Sequence, residues 1–294
     1  MAALAQRRLG LLNVAFSLAA LAGIIWWARQ QQAPHVELQA GAVAELVTAI
    51  ALYGIVTALR AERWRSILLH NGIPRGRGDV YGLTVVGYMA NNTLPARAGD
   101  LLRVVLIGGS RRAVLGTVVA ERVLDACALA AIFLVVVLNR GLSFGPLPYV
   151  AGAGVLAVVV VAVVWCVSDR VSGALRPIAA ASRGLVSLHG AWLLALSIVL
   201  WGVEASVYHV VGLAVGVHLG VAGALYVVAL TNLSALIPAG PGYVGTFDAA
   251  VLLALRSLGK SALGYLLVLR FVLFVPITIV GAAVYFTRYA RRRR

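Results

Sequence analysis

Two polar interruptions in a very apolar chain most constrain how this sequence can fold. Residues 91–103, the first elbow, carry Asn, Pro, Gly, Arg and Asp within a few positions, and residues 232–248, the second elbow, repeat that order. Each runs through Asn, then Leu-Pro-Ala or Ile-Pro-Ala, then Gly, to Asp at the start of a new apolar segment. Proline lacks an N–H donor and glycine is conformationally loose, so both stretches should break helices.

The segments around the elbows are apolar enough to lie in a membrane. Hydrophobic residues make up 62% of the 294 residues, and the mean hydropathy is +0.95. Six segments are long enough to cross a hydrocarbon core of roughly 30 Å. They are residues 9–28, 42–59, 113–138, 149–167, 191–211 and 262–287. The sequence therefore predicts an all-α polytopic integral membrane protein.

Residues 80–94, before the first elbow, are too few to cross. About 15 residues of helix cover roughly 22 Å. Together with the short apolar piece 100–107, they predict a re-entrant helical hairpin over residues 80–108. The second elbow predicts a similar hairpin over residues 221–258, although its first arm, 221–237, could also just span.

The net charge of +15 indicates topology rather than nucleic-acid binding. It comes almost entirely from arginine, with Lys260 the only lysine, at the ends of apolar segments. This placement is typical of orientation signals and of contact with anionic lipid headgroups. If both hairpins return to the face they enter, most of the 25 basic residues fall on one side. We therefore expect a prokaryotic cytoplasmic membrane with both termini cytoplasmic.

The two halves of the chain repeat the same order of segments. Residues 1–140 and residues 146–294 each contain span, span, hairpin and span. Three crossings per half is an odd number, so the halves should be inverted. The sequence predicts one membrane domain of six transmembrane helices and two re-entrant hairpins in an inverted repeat, an architecture that recurs among secondary transporters.

The elbows are the candidate site. Irregular backbone at membrane depth is tolerated only inside protein or beside a wet cavity, so the elbows should meet in a polar cavity. Helix N-termini at Asp100 and Thr246 would direct N–H groups there and favour anions. Arg97 suits a phosphate, because guanidinium binds phosphate bidentately. Asp100 and Asp248 either contact the ligand or act as helix caps.

Other ionisable residues lie in the predicted spans. Arg122 and Asp125 are three apart and should pair along the helix, while Glu121 shares a face with Asp125. This cluster either neutralises itself, orients Arg97 or couples protons. Glu204 and Arg270 are interpreted as a pair. The candidate substrate-binding residues are Asn92, Arg97, Asp100, Arg103, Glu121, Arg122, Asp125, Glu204, Asn232, Asp248 and Arg270, and the helix breaks are Pro95, Gly99, Pro238, Pro241, Gly242 and Gly245.

Three further residues are interpreted as a membrane-surface anchor. Arg60, Arg63 and Trp64 follow the second predicted span, where they could gather anionic headgroups. The five histidines show no metal-ligand spacing, and the two cysteines imply no disulfide framework. No metal, cofactor or enzymatic constellation is expected.

The sequence resembles the lysylphosphatidylglycerol synthase transmembrane region, also called the flippase-like domain family, over nearly its whole length. The resemblance rests on Arg63-Trp64, LPARAGD at residues 94–100 with Arg103, ERVLD at residues 121–125 and IPAGPGYVG at residues 237–245. Asp248 stands where the family usually has Glu. The soluble aminoacyl-transfer domain of fused members is absent here, so synthesis of lysyl-lipid is not expected.

This resemblance implies movement of lipids between leaflets. The expected substrates are a polyprenyl-phosphate-linked sugar or an anionic phospholipid such as aminoacylated phosphatidylglycerol. Arg97 would hold the phosphate. Two alternatives stay open: an integral-membrane lipid-modifying enzyme that uses Glu121 and Asp125, and a non-catalytic partner of a glycosyltransferase or synthetase.

Overall fold

The computed structural model describes residues 38–95, 97–140, 180, 184–235, 240–260 and 263–290, which contain helices and no β-strand. The α-helices are α1 Ala42–His70, α2 Arg77–Thr93, α3 Ala98–Ile107, α4 Arg111–Arg140, α5 Leu188–Ala214, α6 Gly220–Ser234, α7 Thr246–Ser257 and α8 Leu263–Val284. A 3-10 turn, Pro241–Tyr243, precedes α7, and a π turn, Tyr285–Tyr289, extends α8. The prediction of an all-α class is confirmed. The predicted spans 9–28 and 149–167, and Pro238, lie outside the described residues.

Among the described residues, three helices are long and apolar enough to cross a membrane: Ala42–His70, Leu188–Ala214 and Leu263–Tyr289. Each contains at least 27 residues, which as helix extend about 40 Å. They overlap three of the predicted spans, and the first continues eleven residues beyond the predicted end at residue 59. The 30-residue α4 is equally long but carries Glu121, Arg122 and Asp125 in its middle, so its apolar stretches are shorter.

One face of the bundle carries most of its described surface arginines. There His70, at the end of α1, stacks on His189 of α5 with 4.6 Å between ring centroids. At the same face Arg288, beyond α8, donates a hydrogen bond of 3.1 Å to the carbonyl of Gly78 in α2. We call it the basic face; it carries Arg65, Arg75, Arg77, Arg111, Arg112 and Arg288.

The two short helix pairs enter the bundle from opposite faces. The α2–α3 pair begins and ends at the basic face, where Arg75 donates to the carbonyl of Ile107 at 3.2 Å. The α6–α7 pair begins and ends at the opposite face, because α6 follows the far end of α5, and Ser257 at the end of α7 lies 3.4 Å from the Tyr226 hydroxyl. In the first pair, α2 ends at Thr93 and α3 begins at Ala98; in the second, α6 ends at Ser234 and α7 begins at Thr246, and both sets of helix ends lie within the bundle.

The helices pack closely across these pairs. α1 packs along α5, α8 packs on α2, and α4 packs on α6. Gly99 shows how tight the first hairpin is, since a Cβ there would lie 1.9 Å from the Gly87 carbonyl oxygen. The start of α3 is thereby pressed against the middle of α2, which fixes the depth of the first elbow.

Candidate functional site

The two elbows meet inside the bundle. The Arg97 guanidinium donates a 2.6 Å hydrogen bond to the Ala235 carbonyl and lies 5.3 Å from the centre of the Tyr243 ring. Arg97 and Tyr243 are also the two non-glycine residues with positive φ, both +56°, in the described part of the chain. Such backbone costs about 1–2 kcal/mol per residue and persists where the surroundings impose it, often at functional sites.

A cavity of about 80 Å³ lies at this junction. Both elbows, both hairpins and the long helices contribute to its wall, which combines aromatic rings with amide and charged side chains. Its main lining residues are Tyr53, Arg60, Tyr88, Asn91, Asn92, Arg97, Arg122, Asp125, Trp201, Glu204, Tyr208, Asn232, Tyr243, Phe247 and Phe274. The space accommodates a handful of water molecules, so a complete lipid headgroup would require it to widen.

At and behind one wall of the cavity, six charged side chains form a closed ion-pair cluster. Its three arginines and three carboxylates come from α1, α3 and α4, and their N–O distances run from 2.8 to 3.9 Å. The members are Arg63, Asp100, Arg103, Glu121, Arg122 and Asp125. The predicted pairing of Arg122 with Asp125 is present at 3.3 Å. Because the charges balance, the cluster can stay buried and fix the start of α3 to α4.

A second buried pair joins the two halves of the chain. Arg60 of α1 pairs with Glu204 of α5, and both residues are at most 5% exposed. The Arg60 guanidinium also lies over two rings, 4.8 Å from that of Trp201 and 5.5 Å from that of Tyr88. Ion pair and ring contacts together hold this arginine at the cavity wall.

The interpretation of Arg60, Arg63 and Trp64 as a membrane-surface anchor is wrong. Helix α1 does not end near residue 59 but continues to His70, and Trp64 is completely buried. Carboxylates on α4 and α5 neutralise the two arginines, so the helix can stay inside the bundle beyond the predicted span. Trp64 donates a 3.1 Å hydrogen bond to Thr117 and supports the Arg103 guanidinium, 4.6 Å away.

The second elbow has a simpler charge arrangement. Asp248 pairs with Arg270 of α8, whose guanidinium also donates to the Gly242 carbonyl at 3.2 Å. The expected pairing of Glu204 with Arg270 is therefore wrong, because packing brings Glu204 to Arg60 instead. Both pairs at the elbows join residues 22 apart: Asp100 with Arg122, and Asp248 with Arg270.

The N-terminus of α3 is less available for a ligand than the sequence indicates. At the start of α3, the Gly99 N–H donates to the Asn91 side chain at 2.9 Å, and the Asp100 N–H donates to the Arg97 carbonyl at 3.0 Å. At the start of α7, the Gly245 N–H donates to Asp248 at 3.0 Å, so Asp248 acts as a cap as well as an ion partner. At the first elbow, attraction for an anion therefore depends on side chains.

Arg97 is the cation that the carboxylates leave uncompensated. Five other arginines at or behind the cavity pair with five carboxylates. Three of these arginines belong to the cluster, and the other two are in the Arg60–Glu204 and Asp248–Arg270 pairs. Among the described residues, Arg97 has no carboxylate partner, and its Nε atom is buried without a hydrogen-bond acceptor. The cavity is therefore left with one positive charge and an open donor.

The structure divides the candidate residues into two groups. Those at the cavity are Asn92, Arg97, Arg122, Asp125, Glu204 and Asn232. The others, Asp100, Arg103, Glu121, Asp248 and Arg270, do not line it, and among them only Asp100 pairs with a lining residue, Arg122. Asn92 also ties α2 to α8, through a 2.9 Å hydrogen bond to Thr278. Sequence reasoning missed the aromatic wall. The one residue of this wall that the local sequence indicates is Tyr243, an aromatic residue inside the second elbow.

Comparison with family models places the chain in a known family. The family model described as "Lysylphosphatidylglycerol synthase TM region" matches residues 11–281. No curated protein and no solved structure matches the chain.

Proposed function

The chain belongs to the lysylphosphatidylglycerol synthase TM region family, and we propose that it is a lipid flippase or transporter that moves an anionic lipid between membrane leaflets. The lipid's charged headgroup would enter the central cavity between the elbows, while its tails stay in the surrounding bilayer. Family membership supports a lipid-related role in the membrane. The rest of the proposal depends on the cavity.

The uncompensated charge of Arg97 is the observation that carries this proposal. A charged side chain near the bilayer centre costs roughly 2.5–3.5 kcal/mol on insertion scales, so it is rarely kept without a partner. Every other arginine that the structure describes at the site has a carboxylate, whereas Arg97 has a carbonyl and a ring. A phosphodiester carries one negative charge and accepts guanidinium hydrogen bonds bidentately, so it would complete this site.

Two substrate classes fit this charge. A polyprenyl-phosphate-linked sugar and an anionic phospholipid, such as aminoacylated phosphatidylglycerol, each present a phosphate with further polar atoms beside it. The amides of Asn92 and Asn232 and the hydroxyl of Tyr208 line the same cavity and could hydrogen-bond those atoms.

We further propose that six spans and two hairpins form an inverted repeat with both termini in the cytoplasm of a prokaryote. Reciprocal packing supports the repeat: α8 of the second half packs on α2 of the first, and α4 of the first half packs on α6 of the second. The two Asp–Arg pairs with equal 22-residue spacing support it too. The concentration of arginine at one face supports the orientation.

Movement of one half against the other would open the cavity. At about 80 Å³ the cavity resembles a closed state around a small polar space. Arg60 and Glu204 join α1 to α5 across the halves, and Arg97 joins the elbows. If the two halves rocked against each other, the Arg60–Glu204 and Arg97–Ala235 contacts would break alternately. The site would then open first to one leaflet and then to the other, as in alternating access.

Reconstitution of the purified chain in liposomes tests the proposal. We expect a fluorescent phosphatidylglycerol to exchange between leaflets faster than in protein-free liposomes, with little gain for phosphatidylcholine, measured by quenching the outer label with dithionite. Chemical conversion of the lipid would instead support a lipid-modifying enzyme. Exchange no faster than in empty liposomes, together with a co-purifying glycosyltransferase or synthetase, would support the partner role.

A further inference from the structure

A second concave region lies at the basic face, away from the central cavity. A groove of about 460 Å³ runs between the start of α2 and the end of α8. Its size falls within the roughly 300–1,000 Å³ typical of ligand sites. The residues that define it are Arg77, Gly78, Val85, Val280, Val284 and Arg288.

Two arginines stand at the mouth of the groove. The Arg77 side chain is 72% exposed, and its Nε donates to Glu62 at 2.7 Å. Arg288 donates through one Nη to the Gly78 carbonyl at 3.1 Å. Each guanidinium has five N–H donors, and these contacts use one of each, so most of the donors remain for a ligand.

The groove is apolar below its mouth. Val85, Val280 and Val284 form its walls, and Val280 is 50% exposed on the outer surface of α8. The exposed apolar surface continues along that helix with Ile279, which is 64% exposed. In a chain that spans a membrane, such a surface faces lipid tails.

Glycines keep the floor of the groove open. Gly78 and Gly82 are four residues apart on the face of α2 that meets the end of α8. A Cβ at Gly82 would lie 3.1 Å from the Tyr289 hydroxyl, whereas a Cβ at Gly78 would meet only Arg288, at 3.8 Å. A Cβ at Gly78 therefore meets no backbone of α8, and a larger side chain there would occupy the groove beside Arg288.

We propose that this groove binds one anionic phospholipid from the leaflet at the basic face. The phosphate bridges Arg77 and Arg288, and an acyl chain lies against the three valines and continues along α8. The carboxylates near the mouth are Glu62, held by Arg65 and Arg77, and Asp79 in the first turn of α2. Three arginines against two carboxylates leave a net positive charge, and basic pockets between transmembrane helices are known to suit anionic headgroups.

The experiment is a lipid titration of the purified full chain in detergent, followed by native mass spectrometry. Phosphatidylglycerol and phosphatidylcholine are added separately, and all measurements are repeated in the Arg97→Ala background so that binding at the central cavity does not obscure the groove. We expect affinity for one phosphatidylglycerol to fall about 30-fold in Arg77→Ala/Arg288→Ala, given the usual contribution of each surface arginine.

Two further variants locate the effect. Gly78→Leu should lose the same bound lipid by filling the groove, although it keeps both arginines. Arg111→Ala/Arg112→Ala removes two exposed arginines from the same face and should leave binding unchanged. Equal affinity for the two lipids in the wild type, full binding in Gly78→Leu, or an equal loss in the Arg111/Arg112 variant would each overturn the proposal. Because the groove variants act by different routes, either one alone still provides a test.

Discussion

Removal of one partner from the Arg60–Glu204 pair should strongly destabilise the protein. Arg60 is 5% exposed and Glu204 is 3% exposed, so bulk water solvates a charge at this position poorly. Glu204→Gln keeps the shape but leaves the Arg60 charge without its counter-charge inside the bundle. Breaking a buried ion pair in this way typically costs about 3–5 kcal/mol. Replacing both partners, in Arg60→Met/Glu204→Met, should recover most of that loss because no unpaired charge remains.

Unfolding of the detergent-solubilised protein by a denaturing detergent, followed by tryptophan fluorescence, measures these changes. The matched control is Glu62→Gln, at an acid on α1, the helix of Arg60, that is about one-third exposed and pairs with Arg77 at the surface. Exposed pairs contribute about 0–1 kcal/mol, so this variant should resemble wild type. If Glu204→Gln were as mild as Glu62→Gln, or if the double variant were less stable than Glu204→Gln, the assignment of a buried pair between the halves would be refuted.

Two other predictions concern the elbows. Gly99→Ala should prevent correct folding, because its Cβ would lie 1.9 Å from the Gly87 carbonyl oxygen. The control Gly202→Ala should behave as wild type, because no atom lies within 4 Å of its Cβ. Size-exclusion chromatography of the purified variants distinguishes the two outcomes. Asp248→Ala should lose about 1–2 kcal/mol of stability, since a helix cap and an ion partner disappear together, whereas the exposed Asp79→Ala should change little. Equal melting temperatures for the two Asp variants would contradict this.

The helical framework follows from local features of the sequence. Proline and glycine interrupt a helix whatever the chain packs against. The short helices beside the elbows therefore begin and end within three residues of the predicted limits. The segment predicted over residues 80–94 corresponds to α2, Arg77–Thr93. The second arm of the hairpin predicted over residues 221–258 corresponds to α7, Thr246–Ser257. The pairing of Arg122 with Asp125 is equally local, since helical spacing determines it.

Ion pairs between residues far apart in the sequence could not be predicted in the same way. Arg60 and Glu204 are 144 residues apart, and only the packing of α1 along α5 brings them together. Without that partner, Arg60 and Arg63 suggested a surface loop, and α1 was predicted to end eleven residues too early. The same limit applies to the wall of the cavity, because Trp201 and Tyr88 line it through packing that no spacing along the chain reveals.

The measurement that tests the central claim most directly is leaflet exchange of phosphatidylglycerol by Arg97→Ala in liposomes. Arg256→Ala is the control, because it removes an exposed arginine at the end of α7. We predict exchange at the rate of protein-free liposomes for Arg97→Ala and at the wild-type rate for Arg256→Ala. Wild-type exchange by a correctly folded Arg97→Ala variant would contradict the assignment of Arg97 as the anion-binding residue of a lipid transporter.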